Sequence, residues 1–268
     1  MSRAAARDSL ITADENRRMF DAIARRYDIM NRLISLGLDR RWRRRAVELL
    51  GVAAGERYLD IGTGTGDICI EILRREPAAR VTGIDPAQAM LAIAHAKLRR
   101  AGFTVEINPR SQPPVSPTDS QTGSQINPSD TAPSAVLQVG DALALPYPDG
   151  LFAGVISAFV IRNVENRQKA LREIRRVLRP NGRVVILELT TPRSRIMRPL
   201  HRLYGATVLP LAARAFSNRE AYSYLVRSVR EFPAPDQFVD LMRQAGLREP
   251  ACVPLSGGIV TLFTGTAP

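Results

Sequence analysis

Cysteine and histidine are scarce in this chain, and long apolar runs are missing. Two cysteines, Cys69 and Cys252, cannot build a framework of disulfides, and with only His95 and His201 as histidines we expect no metal site. No apolar run approaches the roughly 18 residues that span a bilayer, and residues 1–18 lack the apolar centre of a secretory signal. We therefore expect a soluble or peripheral protein of the reducing cytoplasm, folded as one domain of 268 residues with a full core.

Lysine is also scarce, although the chain carries a formal net charge of +12. Of its 38 basic residues only Lys97 and Lys169 are lysines, a skew that favours codon bias over selection for phosphate contacts. Two groups of arginines still offer surfaces for anionic lipid or nucleic acid, with a solvated helix face as the alternative for each. The first group surrounds Trp42 and comprises Arg40, Arg41, Arg43, Arg44 and Arg45; the second comprises Arg193, Arg195, Arg198 and Arg202.

A glycine-rich loop is the most informative feature that the chain does contain. Residues 59–67 read Leu-Asp-Ile-Gly-Thr-Gly-Thr-Gly-Asp, an apolar strand that leads into Gly62, Gly64 and Gly66. Glycine at alternate positions allows positive φ angles and a close approach of the backbone to a ligand. A dinucleotide site requires G-x-G-x-x-G, so the spacing disfavours a nicotinamide dehydrogenase, and G-x-G-x-G is typical of S-adenosylmethionine sites. For the loop alone, an ordinary strand-to-helix turn that requires glycine is the alternative.

Acidic residues around this loop support the same cofactor. S-adenosylmethionine carries a cationic sulfonium and no phosphate, so Asp60 and Asp67 attract it where they would repel a pyrophosphate. Asp85 ends the next short apolar run, and an acid at that position can accept hydrogen bonds from both hydroxyls of a ribose. We therefore predict a binding site for S-adenosylmethionine.

Apolar patterns along the chain alternate between strand and helix. Strands are expected at 57–62, 80–85, 136–140, 152–161 and 184–189, and helices at 66–75, 86–100 and 166–178. This alternation with short connections predicts a parallel sheet covered on both faces, with ligands at the carboxyl ends of its strands, where Asp85 and Asp141 fall. Residues 256–258, Ser-Gly-Gly, separate two further runs, so a hairpin and one antiparallel strand are expected near the C-terminus.

Residues 108–134 interrupt this alternation. They are rich in Pro, Ser, Thr, Gln and Asn and have almost no large apolar side chain, so they cannot bury enough surface to order themselves. We expect a disordered surface insertion whose removal leaves activity intact.

Four motifs outside the glycine loop resemble, in the same order, those of the ubiquinone/menaquinone biosynthesis C-methyltransferase family. They are FDAIARRYDIMN at 20–31 with SLGLDRRW at 35–42, DALALPY at 141–147, FVIRNV at 159–164 and AYSYLVRSVREFP at 221–233. The resemblance runs from about residue 16 to residue 266 and is interrupted only by the insertion. It implies an α/β, Rossmann-like class I S-adenosylmethionine methyltransferase fold with a seven-stranded, mostly parallel sheet and one antiparallel strand near the C-terminus. The single methyltransferase domain would span 1–268, with 1–50 as an N-terminal helical lid.

The resemblance implies methylation of a ring carbon of a polyprenylated quinol. Family members convert demethylmenaquinol to menaquinol or methylate the benzoquinol precursor of ubiquinone, and the stretch LSGGIVTL at 255–262 favours the menaquinone branch. The ring carbon becomes nucleophilic when a neighbouring hydroxyl is a phenolate, and a fixed cation lowers the pKa of that hydroxyl. By resemblance Arg162 stabilises this oxygen, because an arginine stays protonated and is no general base. Pairing with Glu165 or Glu188, as a brace of the strand end, is the alternative.

The other site residues follow from the resemblance position by position. Thr65 matches the family's position beside the methionine end of the cofactor, Asp85 matches its ribose acid, and Asp141 with Ala142 match its adenine pair. Tyr27, in the lid, is expected to hydrogen-bond the methionine end or the substrate and so to take part in catalysis, with helix packing as the alternative.

Two positions depart from the family pattern. Ala158 stands where many relatives have serine and offers no hydroxyl, and Val160 replaces a glycine. Tyr222 and Tyr224 of the last motif are expected to line the substrate cavity, with filling of the core as the alternative.

The expected partners are the polyprenylated quinol and, because such a quinol resides in lipid, a membrane surface contacted through an arginine cluster and exposed apolar residues. No nucleic acid is expected, since the chain shows no aromatic stacking platform, although an RNA-modifying methyltransferase is the alternative from another class. A non-catalytic scaffold of the quinone pathway is disfavoured by the complete set of cofactor residues. The sequence leaves open whether the chain forms a homodimer.

Overall fold

The computed structural model describes residues 13–108, 134–192 and 219–268. The helices are α1 (Ala13–Ile34), α2 (Asp39–Leu50), α3 (Asp67–Arg75), α4 (Gln88–Arg100), α5 (Arg167–Val177), α6 (Arg219–Glu231) and α7 (Pro235–Gln244). The strands are β1 (Arg57–Ile61), β2 (Arg80–Asp85), β3 (Val105–Asn108), β4 (Ala135–Val139), β5 (Phe152–Ala158), β6 (Leu178–Leu189), β7 (Arg248–Leu255) and β8 (Val260–Thr266). Short 3₁₀ turns lie at Ile161–Asn163 and Ser256–Gly258.

The strands of the described residues form one sheet in the order β3-β4-β2-β1-β5-β6-β8-β7. All neighbouring pairs are parallel except those of β8, which runs antiparallel to both β6 and β7. The predicted parallel sheet and the predicted C-terminal hairpin with its antiparallel strand are therefore confirmed. The expected seven strands are wrong by one, because β3 adds an eighth at the edge. This strand has only four residues and no buried side chain, so no apolar run marks it.

Helices cover both faces of the sheet, and successive residues of a strand enter different clusters of the core. In β1, Tyr58 packs with α2, α3 and α4 on one face, and Leu59 packs with α5 and α7 on the other. In β5, Val155 and Ile156 divide in the same way. Because both faces are buried, most residues of these strands are apolar, which is how the sequence predicts them.

Residues 179–182, Arg-Pro-Asn-Gly, lie inside β6, which therefore begins earlier than the strand expected at 184–189. Phe152 pairs with Leu178 but Gly154 pairs with Arg183, so the residues between form a bulge against β5, with Asn181 at φ 60°. The extra residues are unpaired with β5, and the regular parallel ladder resumes at Arg183 and continues to Leu187.

Several expectations fall outside the described residues. Residues 109–133, nearly all of the predicted insertion, and the second arginine group lie there, so both stay predictions. Within the described ranges no helix is long and apolar enough to cross a membrane. The same residues contain no group of three or more potential metal ligands.

Candidate active site

The carboxyl ends of three neighbouring strands meet at one edge of the sheet. Ile61 at the end of β1 pairs with Ile84, and Asp85 at the end of β2 pairs with Val139. The glycine loop follows β1 directly, and Asp141 follows β4. The parallel register therefore brings together the glycine loop, Asp85 and the segment that begins with Asp141, which the sequence places far apart.

The glycine loop has the backbone conformation that its sequence requires. Gly62, Gly64 and Gly66 have φ angles of 68°, 53° and 81°, in the region that side chains disfavour. A Cβ on Gly62 would collide with the side chain of Val160. Val160, which replaces a glycine of the family pattern, therefore fits here only because residue 62 has no side chain. At Gly64 the nearest described heavy atom to such a Cβ would be 4.0 Å away. The loop is thus open on the side where a ligand would approach Gly64.

Asp85 is buried and holds the glycine loop in place. Its Oδ2 accepts a hydrogen bond from the backbone N–H of Gly64 (2.9 Å), and its Oδ1 accepts one from Ala87 (2.9 Å). Burial raises the pKa of Asp85 to about 6 against these two hydrogen bonds, and the negative charge of Asp21 adds to the rise. Each oxygen keeps a lone pair, so the carboxylate can also accept from ribose hydroxyls.

Asp60, at the bottom of the site, carries an unsatisfied oxygen. Its Oδ2 accepts a hydrogen bond from Thr63 Oγ1 (2.6 Å), whereas its Oδ1 is buried and has no hydrogen-bond partner among the described residues. Burial raises the pKa of Asp60 to about 7, with the hydrogen bonds from Thr63 and Cys69 opposing it. A buried carboxylate without a cation is costly, and a cationic ligand offsets that cost. Asp60 and the open space at Gly64 therefore fit a cofactor that carries positive charge and a ribose.

These two acids make cofactor affinity depend on pH. Both pKa values lie well above the ordinary value of a carboxyl, and a bound cation favours the ionised form, so binding should release protons between about pH 5.5 and 7. We expect the affinity for S-adenosylmethionine to rise several-fold from pH 5.5 to 7.5, measured by calorimetry in two buffers of different ionisation enthalpy. The stability of the cofactor-free protein should change with pH in the opposite direction. The contribution of these two acids to the free energy of unfolding is largest below about pH 4 and is lost as the pH rises through 6 to 7.

An affinity that stays constant over this range would contradict the assignment. Asp85→Asn keeps the shape of the side chain and removes one of the two titrations; because an amide has one acceptor oxygen, it also loses one of the two backbone hydrogen bonds, so the affinity should be lower at every pH and the shape of the profile is what is compared. In this variant the affinity for S-adenosylmethionine should no longer change with pH near 6, where Asp85 titrates, and should still rise with pH near 7, where Asp60 titrates.

Asp141 and Ala142, the pair predicted to contact the adenine, lie at the start of a tight turn. Asp141 Oδ1 accepts a hydrogen bond from the backbone N–H of Leu143 (2.9 Å), and Asp141 is exposed while Ala142 is buried. Asp141 also forms a bridge to Ala144, which closes the turn. The side chain thus keeps an exposed oxygen at the edge of the site.

The N-terminal helix α1 lies across α4 and reaches the glycine loop. Tyr27 packs in an apolar cluster with Ile23 and Met90, and its ring meets that of Phe20 edge to face at 5.9 Å. This is the packing role that the sequence left as the alternative for Tyr27, and a role in catalysis stays a prediction. Asp28, next in sequence, accepts a hydrogen bond from Thr65 Oγ1 (2.6 Å) and so ties the helix to the loop.

Arg162 is buried in the 3₁₀ turn after β5. Its Nη1 donates to Glu188 Oε1 (2.7 Å) and to the carbonyl of Phe159, and its backbone N–H donates to Glu188 Oε2 (3.1 Å). The pair with Glu188 is the alternative that the sequence left open, and Glu165 is exposed instead. Phe159 has a φ of 64°, which is rare for an aromatic residue and marks strain at this turn.

Unsatisfied polar atoms surround Arg162. Arg162 Nε, Asn163 Oδ1 and the hydroxyl of Tyr224 are buried without a hydrogen-bond partner among the described residues. Burial raises the pKa of Tyr224 to about 12, and the charge of Arg162 opposes the rise, which places the two side chains within electrostatic reach. Arg167 was not predicted from sequence; its Nη2 donates to the carbonyl of Arg162 (3.0 Å) and adds a second cation.

This fold and this site define an S-adenosylmethionine-dependent methyltransferase of class I. A general methyltransferase-domain model matches residues 59–186. The chain shares its fold with the solved structure of a putative S-adenosylmethionine-dependent methyltransferase from Methanococcus maripaludis, at a TM-score of 0.61 and 14% identity over 92% of this chain and 93% of that one.

Within this class the sequence is more specific. The model of the ubiE/COQ5 methyltransferase family matches residues 128–267. The ubiquinone/menaquinone biosynthesis C-methyltransferase UbiE of Geobacter sulfurreducens is 40% identical over 93% of this chain and 87% of that protein. The demethylmenaquinone methyltransferase of Thermus thermophilus is 41% identical over 85% of this chain and 90% of that protein. The chain belongs to the ubiE/COQ5 methyltransferase family, as the four motifs indicated.

Proposed function

We propose that this methyltransferase converts demethylmenaquinol to menaquinol by methylating a carbon of the quinol ring. The observation that carries the proposal is the identity of about 40% to relatives named for this chemistry, extended over most of both chains. The buried, unsatisfied polar atoms around Arg162 support it, because a quinol hydroxyl would satisfy them.

S-adenosylmethionine supplies a methyl group that is already strongly electrophilic, so the protein must orient the ring and raise the electron density at the target carbon. Arg162 does the second task by favouring the ionised form of the neighbouring hydroxyl. Its Nη1 is held by Glu188, which leaves Nε to donate to the phenolate oxygen. Glu188 thereby fixes the direction of the guanidinium and prevents it from turning away.

Tyr224 and Arg167 complete the proposed oxygen site. The hydroxyl of Tyr224 stays protonated at neutral pH, since burial raises its pKa to about 12, so it is available as a donor. Arg167 adds a second positive charge next to Arg162, and its guanidinium lies over the ring of Phe232, 5.6 Å from the ring centre. These groups stabilise negative charge that develops on the substrate and offer little to a neutral quinone.

The test is a methylation assay with purified protein and isotopically labelled S-adenosylmethionine. Separate reactions contain reduced demethylmenaquinol, the reduced demethylated benzoquinol and total RNA, and label is followed by mass spectrometry. We expect label in demethylmenaquinol and none when it is supplied as the oxidised quinone. Label in the benzoquinol alone would move the enzyme to the ubiquinone branch, and label in RNA alone would overturn the proposal.

We also propose that the end of α1 contacts the membrane that holds the quinol. Four large apolar side chains there are 39–69% exposed, and together they form the α1 patch: Ile29, Leu33, Leu36 and Leu38. The exposed cations Arg40 and Arg41 follow directly, which suits a surface of anionic lipid. Arg43 of the same arginine group is buried and paired with Asp39, so this group is only partly a surface feature.

The α1 patch can be tested by sedimentation with anionic liposomes at low salt. The double variant Leu33→Asp, Leu36→Asp should lose most co-sedimentation, because each aspartate removes apolar area and repels the lipid. Val253→Asp is the control, since Val253 is 43% exposed but belongs to β7 and not to the α1 patch. Equal binding by the double variant and the control would contradict the proposed contact.

A further inference from the structure

Lys97 on α4 stands at the centre of a polar network that links three parts of the chain. Its ammonium donates to Asp28 Oδ2 (2.7 Å), to Thr65 Oγ1 (3.1 Å) and to Asp67 Oδ1 (2.6 Å). Asp28 belongs to α1, Thr65 to the glycine loop and Asp67 to the first turn of α3. One side chain thus holds the N-terminal helix against the loop that is proposed to bind the cofactor.

The choice of lysine here is informative, because 36 of the 38 basic residues in this chain are arginines. An ammonium has three donors that diverge from one nitrogen, and three separate oxygens surround it at this position. A guanidinium has its donors fixed in one plane and suits a single carboxylate held by two parallel bonds. The geometry of the three acceptors therefore requires lysine where composition would supply arginine.

The surrounding cations favour the ionised form of Asp67. Burial raises the pKa of Asp67, but the cations Arg43 and Lys97 outweigh it and lower the pKa overall. Arg43 lies 3.7 Å from Asp67 and pairs with Asp39 as well. The side chains of Lys97, Asp28 and Asp67 are 22–33% exposed, so the network sits at the accessible edge of the site, where a helix can separate from the loop.

The network also decides what Thr65 can offer to a ligand. The hydroxyl donates its only hydrogen to Asp28, and one of its two lone pairs accepts from Lys97. The single lone pair that remains can accept a hydrogen bond but the hydroxyl can donate none. Thr65 is therefore set to meet a donor such as an ammonium group and not a carboxylate.

We propose that Lys97 is a positioning residue that latches α1 over the cofactor loop and orients the Thr65 hydroxyl toward the ammonium of the cofactor's methionine end. This inference rests on the proposed assignment of Thr65 to that end. Lys97 acts through Asp28 and Thr65 and makes no contact with the reacting atoms. Closure of α1 over the loop would exclude water from the bound cofactor.

The test compares Lys97→Met, Lys97→Arg and the wild type, with Lys169→Met as the control. Lys169 is the chain's other lysine and is exposed on α5. We expect Lys97→Met to speed amide hydrogen exchange in α1 by about tenfold and to weaken binding of S-adenosylhomocysteine by about tenfold, as loss of charged hydrogen bonds does. Exchange in β1, β2 and β5 should not change. Lys97→Arg should also exchange faster in α1 and bind S-adenosylhomocysteine more weakly than the wild type. Lys169→Met should match the wild type in both measurements.

Two results would overturn the latch. The first is that Lys97→Met equals the wild type in both the α1 exchange rate and the affinity for S-adenosylhomocysteine. The second is that Lys97→Arg equals the wild type in both quantities. Asp28→Asn supplies an independent check, because its effects and those of Lys97→Met should be strongly non-additive in the double variant. A wild type that binds S-adenosylhomocysteine but methylates no quinol would defeat the proposed function and leave the latch standing.

Discussion

Replacement of Arg162 by alanine is expected to lower kcat by about 10²–10³-fold while the affinity for S-adenosylmethionine stays within about threefold. The guanidinium is buried in the turn after β5, and its Nε has no hydrogen-bond partner among the described residues, so it is available to the proposed oxygen site. The variant therefore removes stabilisation of the phenolate and leaves the cofactor residues in place. Steady-state kinetics with the reduced quinol and calorimetry with the cofactor measure the two effects separately.

Arg162→Lys distinguishes electrostatics from geometry. A lysine at this position can still neutralise Glu188, so the fold should be nearly as stable as in the wild type. A lysine ammonium that pairs with Glu188 has no second nitrogen with which to donate to the phenolate oxygen, so turnover should remain low. A fall in cofactor affinity with kcat unchanged, in either variant, would show that Arg162 serves the cofactor and not the quinol.

Replacement of Glu188 by alanine is expected to lower the free energy of unfolding by about 3–5 kcal/mol, because it leaves the Arg162 cation buried and unpaired. Glu188 has no exposed surface, and it accepts from the side chain and the backbone N–H of Arg162 and from the backbone N–H of Leu189. Loss of this one carboxylate therefore leaves several donors unsatisfied inside the protein. Urea unfolding followed by circular dichroism measures the change.

Two further variants test this cause. Glu165→Ala removes an exposed glutamate two residues after the 3₁₀ turn and should change stability by less than about 0.5 kcal/mol. The double variant Arg162→Met, Glu188→Leu removes both charges and should recover much of the stability while remaining inactive. If Glu188→Ala were as stable as Glu165→Ala, the pair would contribute nothing to the fold.

The cofactor side of the site could be predicted from local sequence. Gly62, Gly64 and Gly66 are required by the positive φ angles of the loop, and a short sequence pattern is enough to indicate them. Asp85 could be predicted because it ends an apolar strand. The parallel register then brings these residues together without further information. The sequence missed β3 because a four-residue strand with exposed side chains leaves no apolar pattern.

The polar contacts between distant segments could not be predicted. Lys97 meets partners at 28, 65 and 67, and only the packing of α1, α3 and α4 makes them neighbours. The rarity of lysine was visible in the composition, but nothing in the sequence linked it to a position. Arg43 likewise could not be separated from the exposed arginines beside it, because burial depends on which face of α2 meets Asp67 and Phe159.

The position of β8 has a consequence for synthesis of the protein on the ribosome. β8 follows β6 and β7 along the chain, yet it lies between them in the sheet and supplies the pairing partner of both. Until residue 266 has emerged, the nascent chain presents the unpaired edge of β6, a long and mostly buried strand, and such edges recruit other chains. A ribosome that stalls before β8 has emerged would thus hold a chain in which neither β6 nor β7 has this pairing partner and which is prone to aggregate.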